Sequence, residues 1–340
     1  MKKSNKSLIL LLLLLLCVFT VGCDNNNNIK NNTGEVNIHY IDVGQADSEL
    51  IQIGNKNILI DAGNNDNMAY DYLKKIGISK LDYVIATHPH ADHIGGMANV
   101  IKSFQVDNFY SPKVTSTTKT FENMVNELKN KNLKMKVPNV GETIDIGEAQ
   151  LIFLAPNSEK YEDLNNYSIV CKLVYGNTSF LFTGDAEDVS EGEILKNKTD
   201  VHADVLKVGH HGSHSSTTTE FLNKVNPTYA IISCGKDNDY GHPHKETLDK
   251  LNEKNIEIIR TDLNGTIIAS SDGKNISFNV NTESQEANSG KNDNSIVWIA
   301  NSNSKVYHKD KECSGMKSPT SINLDEAKNK GLKPCSKCAA

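Results

Sequence analysis

Three histidines and an aspartate fall within six positions of one run, Thr87-His88-Pro89-His90-Ala91-Asp92-His93. On extended backbone alternate side chains share a face, so His88 and His90 can bind the same metal ion. Asp92 and His93, where the chain turns into a helix, can reach a second ion nearby. Imidazole nitrogens and a carboxylate suit zinc, and manganese less exclusively. The run therefore predicts a centre of two divalent metal ions.

Candidate ligands also follow two later strand-like stretches. Asp185 comes after an apolar strand, where a turn or cap residue is the alternative interpretation. A carboxylate shared between two ions about 3.5–4 Å apart is typical of dinuclear sites. His210 and His211 follow the strand-like stretch 205–208, and His210 is the preferred ligand, although the sequence does not separate the two. Asp61, after another apolar strand, is expected to orient a metal-binding histidine.

The elements that must position these residues alternate along residues 35–280. The periodicity predicts strands at 36–40, 57–60, 81–86, 143–146, 150–154, 169–175, 179–183, 205–208, 229–232 and 256–259. It predicts helices at 68–76, 94–102, 121–128, 220–225 and 245–254. Such a mixture favours an α/β fold of two stacked sheets covered by helices, an αββα sandwich, in one domain.

The amino-terminal end is typical of a targeting segment over residues 1–23. A positive start is followed by the apolar run Leu8–Leu16, which is too short for a membrane span. Val21-Gly22-Cys23 resembles a lipobox, with Thr20 where leucine is usual, and predicts lipidation at Cys23. A plain secretory signal or an uncleaved anchor are the alternatives, and all three place the protein outside the cytoplasm. The Asn-rich residues 24–34 are predicted to be a polar tether.

The carboxyl-terminal end carries a second group of candidate ligands. After a polar linker at 281–294, residues 295–340 contain His308, Cys313, Cys335 and Cys338. One histidine and three cysteines with a C-x-x-C pair predict a closed, structural zinc site, which so small a module needs to fold. A disulfide is the alternative outside the cytoplasm. The pattern resembles the Ada-type zinc-binding modules of secreted bacterial nucleases, and eight lysines against four acidic residues leave this module positively charged.

Composition sets wider limits on function. The 340 residues are 38% hydrophobic and 23% charged, as expected of a globular protein with a sizeable core. The formal net charge of −6 excludes a strongly basic nucleic-acid binder. It leaves a nucleic-acid substrate open, because bound metal ions would add positive charge. Cys171 and Cys234 lie singly in apolar strands and are predicted to be small buried side chains.

The ordered set of motifs resembles the metallo-β-lactamase superfamily, and more narrowly the hydrolase domains of the ComEC group of DNA-uptake competence proteins. The narrower resemblance depends on Ile41-Asp42-Val43-Gly44-Gln45-Ala46-Asp47, Asn165-Asn166-Tyr167-Ser168, Leu206-Lys207-Val208-Gly209-His210-His211-Gly212-Ser213 and Tyr240-Gly241-His242-Pro243. It implies a metallo-β-lactamase-type αββα sandwich with two divalent ions. Many superfamily members have a further histidine near Asn165, which this chain lacks, so Asn165 or water is expected to complete the first metal site.

The resemblance implies hydrolysis by a metal-bound hydroxide, with Asp92, His211 and His242 as candidate catalytic residues. His242 is expected to donate a proton or hydrogen bond to a substrate oxygen, and ordering of the Gly-Pro turn is its alternative role. The leading hypothesis is a phosphodiesterase or nuclease acting on extracellular DNA. A hydrolase of another phosphodiester or ester, such as a phosphorylcholine-bearing wall polymer, and a non-catalytic DNA-binding lipoprotein are the alternatives; a β-lactamase fits least. Metal identity, cleavage polarity, oligomeric state and protein partners do not follow from the sequence.

Overall fold

The computed structural model describes residues 34–280, 296–301, 304–313, 316, 319–323, 327 and 330–338. The predicted signal peptide with Cys23, residues 24–33 of the predicted tether and the predicted linker at 281–294 lie outside the described residues. Within the part that is described, no helix combines the length and apolar character that crossing a membrane requires.

Two β-sheets form the centre of residues 34–280. The first contains eight strands: β1 (Val36–Tyr40), β2 (Glu49–Ile53), β3 (Lys56–Ile60), β4 (Lys80–Ile85), β5 (Gln105–Tyr110), β6 (Met135–Lys136), β14 (Ile267–Ser271) and β15 (Ile276–Phe278). Their order is β15-β14-β1-β2-β3-β4-β5-β6. The second contains seven: β7 (Thr143–Ile146), β8 (Ala149–Ala155), β9 (Val170–Tyr175), β10 (Thr178–Phe182), β11 (Val205–Lys207), β12 (Tyr229–Ile232) and β13 (Glu257–Arg260). Their order is β13-β12-β11-β10-β9-β8-β7.

Helices cover the outer face of each sheet. In chain order they are α1 (Met68–Lys75), α2 (Ala91–Ile94), α3 (Met97–Ser103), α4 (Lys119–Asn130), α5 (Asp188–Lys196), α6 (Thr219–Val225), α7 (Lys245–Glu253) and α8 (Thr261–Asn264). Short 3₁₀ helices span Leu164–Tyr167 and Gly209–Gly212. The chain therefore folds as the predicted αββα sandwich, with strand and helix bounds close to those expected.

Strand β3 shows why both faces of a sheet are apolar. Successive side chains of a strand point to opposite faces. Ile58 and Ile60 belong to the core between the two sheets, where they join residues such as Phe153 and Phe180. Leu59 faces the other way, into the core beneath α1, α3 and α4. A third core lies between the second sheet and α5, α6 and α7.

The helix predicted at 94–102 is divided in the structure into α2 and α3, which flank Gly95 and Gly96. A Cβ atom on Gly95 would lie 2.2 Å from the backbone of Asn64 and Asn65, and one on Gly96 would lie 2.3 Å from the carbonyl oxygen of Ala62. Only glycine permits that approach. The two glycines thus press this turn against the loop after β3, where Asp61 lies.

The carboxyl-terminal residues form two small strand pairs of their own. β16 (Ile296–Ile299) pairs antiparallel with β18 (Thr320–Asn323), and β17 (Val306–Tyr307) pairs parallel with β19 (Lys333–Pro334). Among the described residues of this part of the chain, five buried side chains form the core: Val297, Ile299, Tyr307, Ala327 and Cys335. So small a core is consistent with the expectation that a metal ion holds this part together.

Candidate metal centre

The histidine-rich run and its neighbours lie at the carboxyl ends of parallel strands. β3 runs parallel to β4, and β10 runs parallel to β11. Because carboxyl ends of parallel strands meet at one edge of a sheet, Asp61 after β3 lies beside the run after β4. Asp185 after β10 likewise lies beside His210 and His211 after β11. The topology therefore brings together segments that are far apart in the sequence.

One compact group, called site A, consists of Asp92, His93, Asp185 and His211. One ligand atom from each lies within 4.8 Å of the ligand atoms of the others. Nε2 of His93 is 3.1 Å from Oδ1 of Asp185, and Nε2 of His211 is 3.3 Å from Oδ2 of Asp92. Two imidazole nitrogens and two carboxylate oxygens at this spacing match the ligand set of a tetrahedral zinc ion.

The hydrogen bonding of site A tests whether a cation fits there. Nε2 of His93, Nε2 of His211 and Oδ1 of Asp185 are buried. The short distances among them and to Asp92 do not have the geometry of hydrogen bonds, so none of the three atoms has a hydrogen-bond partner among the described residues. Buried polar atoms are almost always hydrogen-bonded, so three such atoms in one group require an explanation. Ligation of a divalent cation satisfies all three at once, and the residues therefore fit the metal that the sequence predicts.

A second group, called site B, consists of His88, His90, His210 and the other carboxylate oxygen of Asp185. Nε2 of His88 lies 3.0 Å from Nδ1 of His90. Oδ2 of Asp185 lies 3.9 Å from Nε2 of His88 and 3.6 Å from Nε2 of His210. Asp185 thus lies between sites A and B, as a carboxylate shared by two ions must.

Asn165 occupies the place where the sequence lacks a further histidine. It lines the same cavity of about 350 Å³ as Asp185 and His210. Its Nδ2 donates to Oε1 of Glu187 at 3.3 Å, while its Oδ1 is buried and accepts no hydrogen bond from the described residues. An amide oxygen in this position is available to a cation at site B.

Asp61 lies behind His93, where the sequence places it. Its Oδ2 is 2.7 Å from Nδ1 of His93, and Thr87 donates to the same carboxylate from both its backbone N–H and its hydroxyl. Asp61 itself has a positive φ of 53°. When Asp61 accepts a hydrogen bond from the N–H at Nδ1 of His93, the lone pair of Nε2 is directed at site A. Carboxylates behind metal-binding histidines have this role.

The structure assigns different places to the two adjacent histidines. His211 belongs to site A, whereas His210, the ligand preferred from the sequence, lies beside Asp185 at site B. Both residues have left-handed backbone, with φ of 51° and 54°. Two consecutive left-handed residues direct the side chains in ways that neither a helical nor a strand pattern anticipates.

Behind His211 lies a buried ion pair that sequence reasoning missed. Nδ1 of His211 is 3.0 Å from the carbonyl oxygen of Ser233 and 3.2 Å from Oδ1 of Asp47. Oδ2 of Asp47 accepts from Nζ of Lys207 at 2.7 Å, and both side chains are 1% exposed. The available signal was Lys207 itself, a charged residue in an otherwise apolar strand, because a buried lysine needs a partner.

Burial and charge set the protonation of the two sites. Burial alone would raise the pKa of Asp185, but the His93 and His211 imidazoles hold that pKa well below its usual range. Burial opposes protonation of His211, yet Asp47 and Asp185 raise the pKa of His211 to about 10. Burial and the neighbouring His93 hold the pKa of His88 well below its usual range. Metal binding at site A must therefore displace protons, so metal affinity is expected to rise with pH.

His242 lines the same cavity and lies beside His210 and His211. Its ring centroid is 5.5 Å from that of His210 and 6.3 Å from that of His211. Burial, followed by the nearby imidazoles, lowers the pKa of His242 to about 4. The phenol ring of Tyr240, 69% exposed, lies nearly parallel to the His242 ring at 5.7 Å. The cavity thus has a polar floor and an aromatic rim.

The four predicted ligands of the carboxyl-terminal module are also brought together. His308, Cys313, Cys335 and Cys338 place their ligand atoms within 4.8 Å of one another. Sγ of Cys313 lies 3.9 Å from Sγ of Cys335, far beyond the length of about 2.05 Å of a disulfide bond. In this structure Cys313, Cys335 and Cys338 are in the reduced, thiol form, and their arrangement with His308 fits a tetrahedral zinc site.

The remaining described cysteines, Cys171 and Cys234, are fully buried, as predicted. Burial raises the pKa of the Cys234 thiol to about 12. Neither thiol is poised for nucleophilic chemistry, which requires the thiolate.

Known proteins are similar to this chain in sequence. The sequence pattern of the metallo-beta-lactamase superfamily matches residues 41–236. ComE operon protein 3 of Bacillus subtilis (strain 168) is 33% identical over 255 residues, which are 69% of this chain and 33% of that protein. Competence protein ComA of Neisseria gonorrhoeae is 28% identical over 66% of this chain and 31% of that protein. Recombination protein 2 of Haemophilus influenzae is 30% identical over 68% of this chain and 28% of that protein. The match thus spans about a third of each relative.

Proposed function

The chain belongs to the metallo-beta-lactamase superfamily, and we propose that it is a two-metal phosphodiesterase that cleaves extracellular DNA. The observation that carries the proposal is the position of Asp185 against both groups. Its Oδ1 lies 3.1 Å from Nε2 of His93 in site A. Its Oδ2 lies 3.6 Å from Nε2 of His210 and 3.9 Å from Nε2 of His88 in site B, and 3.9 Å from Nε2 of His211 in site A. A pair of cations bridged in this way suits in-line displacement at phosphorus, where both the attacking and the leaving oxygen need stabilisation.

The proposed mechanism divides the work among residues already described. When bound, two divalent ions lower the pKa of water and neutralise charge on a phosphoryl oxygen. Asp92, His93, Asp185 and His211 would hold one ion, and His88, His90, Asp185 and His210 the other, with Asn165 offering its amide oxygen. Asp61 keeps the Nε2 lone pair of His93 directed inward. His242, on the cavity wall beside His210, would donate a hydrogen bond from a ring nitrogen to a substrate oxygen.

DNA is proposed as the substrate on two grounds. The relatives carry names that refer to competence and recombination, although the chain covers only about a third of each. The exposed ring of Tyr240 at the cavity rim offers a flat surface on which a nucleobase can stack, as single-stranded nucleic acids do on aromatic side chains. A phosphorylcholine group would also gain from that ring, through a cation–π contact with its quaternary ammonium, so the choice of DNA over a wall polymer rests on the names of the relatives.

Two further parts of the proposal concern the ends of the chain. Lipidation at Cys23 would anchor the enzyme outside the cytoplasm, where DNA is accessible to it; incorporation of labelled palmitate that is lost in Cys23→Ala tests this. One zinc ion bound by His308, Cys313, Cys335 and Cys338 would stabilise the folded state of the carboxyl-terminal module. The excess of lysine in that module would help to hold a polyanion.

The decisive experiment compares substrates on the zinc- or manganese-loaded chain. Single-stranded DNA, double-stranded DNA and bis-p-nitrophenyl phosphate are incubated with the wild type, with an Asp92→Ala, His93→Ala variant and with His202→Ala. His202 is an exposed histidine that hydrogen-bonds to the carbonyl oxygen of Val225 and lies outside both sites, so it is a matched control. We expect metal-dependent DNA cleavage by the wild type and by His202→Ala, and none by the double variant.

Other outcomes would redirect the proposal. Cleavage of the small diester without cleavage of DNA would retain the metal chemistry and assign the substrate to another phosphodiester. DNA binding that survives His90→Ala, with no turnover by any form, would favour a DNA-binding lipoprotein that keeps the fold without the activity.

A further inference from the structure

The side chain of Gln45 lies between the backbone of Gly235 and the ring of His242. Its Oε1 accepts from the backbone N–H of Gly235 at 2.9 Å. A backbone N–H only donates, so it fixes which end of the Gln45 amide is the oxygen. The other end, Nε2, must then be the one that faces Nδ1 of His242, at 3.3 Å.

This contact decides which nitrogen of His242 carries the proton. Nε2 of Gln45 is a donor only, so Nδ1 of His242 must supply a lone pair to it. In a neutral imidazole the proton then resides on Nε2. The alternative tautomer would set two N–H groups against each other, and so would the imidazolium ion.

The close approach of Gln45 is built into the fold. A Cβ atom on Gly235 would lie 2.7 Å from the backbone nitrogen of Gln45, so only glycine allows the two segments to meet. Asn238 fixes the other side of the loop, where its Oδ1 accepts from the backbone N–H of His242 at 3.0 Å and its Nδ2 donates to the His242 carbonyl oxygen. The backbone of His242 and its Nδ1 are thus both held by hydrogen bonds.

We propose that Gln45 is a positioning residue that holds His242 in its Nε2–H tautomer, so that His242 donates a hydrogen bond to a phosphoryl oxygen of the substrate. The inference rests on the proposed phosphodiesterase function and makes its recognition of substrate more specific. Among the described residues none hydrogen-bonds to Nε2 of His242, which leaves that donor available. The proton stays on His242 throughout, so the residue stabilises charge on the oxygen and is not a general acid.

An isosteric change reverses the predicted tautomer. Gln45→Glu retains an oxygen for the N–H of Gly235 and replaces the donor at Nδ1 of His242 with a second oxygen. Nδ1 must then carry a proton, which in the neutral ring leaves Nε2 as a lone pair. The measurements on this variant are therefore made at a pH at which the ¹⁵N shifts show a neutral His242 ring. Gln45→Met removes the donor without adding an acceptor, and it controls for loss of the amide alone.

Histidine ¹⁵N NMR of the zinc-loaded full chain tests the tautomer directly. Protonated and unprotonated ring nitrogens have well-separated ¹⁵N shifts, and the His242 signals are assigned by their absence in His242→Ala. We expect Nε2–H in the wild type and a protonated Nδ1 in Gln45→Glu. A wild type with its proton on Nδ1 overturns the inference whatever the enzyme hydrolyses.

Inorganic phosphate separates this inference from the proposed function. Added phosphate should shift the Nε2 proton signal of His242 in the wild type and leave Gln45→Glu unaffected. With bis-p-nitrophenyl phosphate as substrate, Gln45→Glu should lower kcat by about 10²–10³-fold with KM unchanged, as for loss of one oxyanion donor. The same change in a His242→Ala background should have no further effect.

The outcomes are distinguishable. No turnover of any phosphodiester, together with the phosphate shift at Nε2, would end the proposed function and keep the inference. No phosphate shift, or equal kcat losses from Gln45→Glu with and without His242, would end the inference and leave the metal-dependent function standing.

Discussion

Replacement of Lys207 by methionine should destabilise the protein far more than a lysine substitution usually does. Lys207 and Asp47 are both 1% exposed, and Nζ also donates to the carbonyl oxygen of Val208 at 3.1 Å. Removal of Lys207 leaves a buried carboxylate with, among the described residues, only the His211 ring beside it. Removal of one partner of a buried ion pair typically costs about 3–5 kcal/mol. The least costly relaxation is protonation of Asp47.

The cost of that protonation sets the magnitude and the pH dependence. With about 1.36 kcal/mol per pH unit and an ordinary aspartate pKa near 3.9, protonation costs about 4 kcal/mol at pH 7 and about 1.5 kcal/mol at pH 5. In the wild type, burial raises the pKa of Asp47, but Lys207 and then His211 lower that pKa to about 2. The wild-type contribution of Asp47 is therefore present above the unfolded pKa and is lost only as the pH falls towards about 2. The stability gap should shrink as the pH falls from 7 to 5.

Urea unfolding in EDTA, followed by far-UV circular dichroism, measures this gap. Lys172→Met is the matched control, because Lys172 is also a strand lysine, 5% exposed, but its partner Asp200 is 79% exposed. That pair should contribute at most about 1 kcal/mol. A Lys207→Met variant that loses no more than Lys172→Met, or a gap that does not change with pH, would refute the reasoning.

Three further predictions concern metal binding. His211→Ala should lose one zinc ion from site A, whereas His210→Ala should retain it; metal content after dialysis decides, and equal losses would contradict the assignment. Asp61→Asn should weaken zinc binding about 10–100-fold in a chelator competition, because it releases the ring held for site A; unchanged affinity would show that the hydrogen bond is dispensable. Cys338→Ser should lower zinc stoichiometry by one without changing the cleavage of bis-p-nitrophenyl phosphate, which needs only the sandwich, and an unchanged stoichiometry would remove the carboxyl-terminal site.

Much of the fold follows from local pattern. Strands at Val36–Tyr40, Thr143–Ile146 and Tyr229–Ile232 have the predicted bounds, because their apolar residues follow the periodicity of a strand. β2 was not predicted, since Glu49 and Gln52 interrupt its apolar pattern although both are buried. β14 was not predicted either; it is held by its pairing with β1, which lies more than 200 residues earlier in the chain.

The candidate site, like the fold, contains residues whose places local sequence pattern predicts and residues whose places it does not. His88, His90, Asp92 and His93 are adjacent in sequence, so their spacing alone predicts convergence. The separate places of His210 and His211 depend on two consecutive left-handed residues. Histidine adopts that conformation more often than most residues, but still too rarely for the sequence to predict it at two positions in a row. The pairing of Lys207 with Asp47 joins positions 160 residues apart and becomes visible only when the two sheets are stacked.

The antiparallel pairing of β1 with β14 has a consequence for how this unit is used. Val36 lies opposite Ser271, so the first strand of the sandwich pairs with its last strand but one, and β15, the last, pairs with β14. Both ends lie on one side of the first sheet's order, β15-β14-β1, while the metal ligands follow β3, β4, β10 and β11. Because its first and last strands are neighbours and lie away from the metal ligands, such a sandwich can be inserted into a longer polypeptide, or attached by a flexible segment, without a change at the edge that carries those ligands. The position of the two ends thus explains physically how a unit similar to this one can make up about a third of each relative's length.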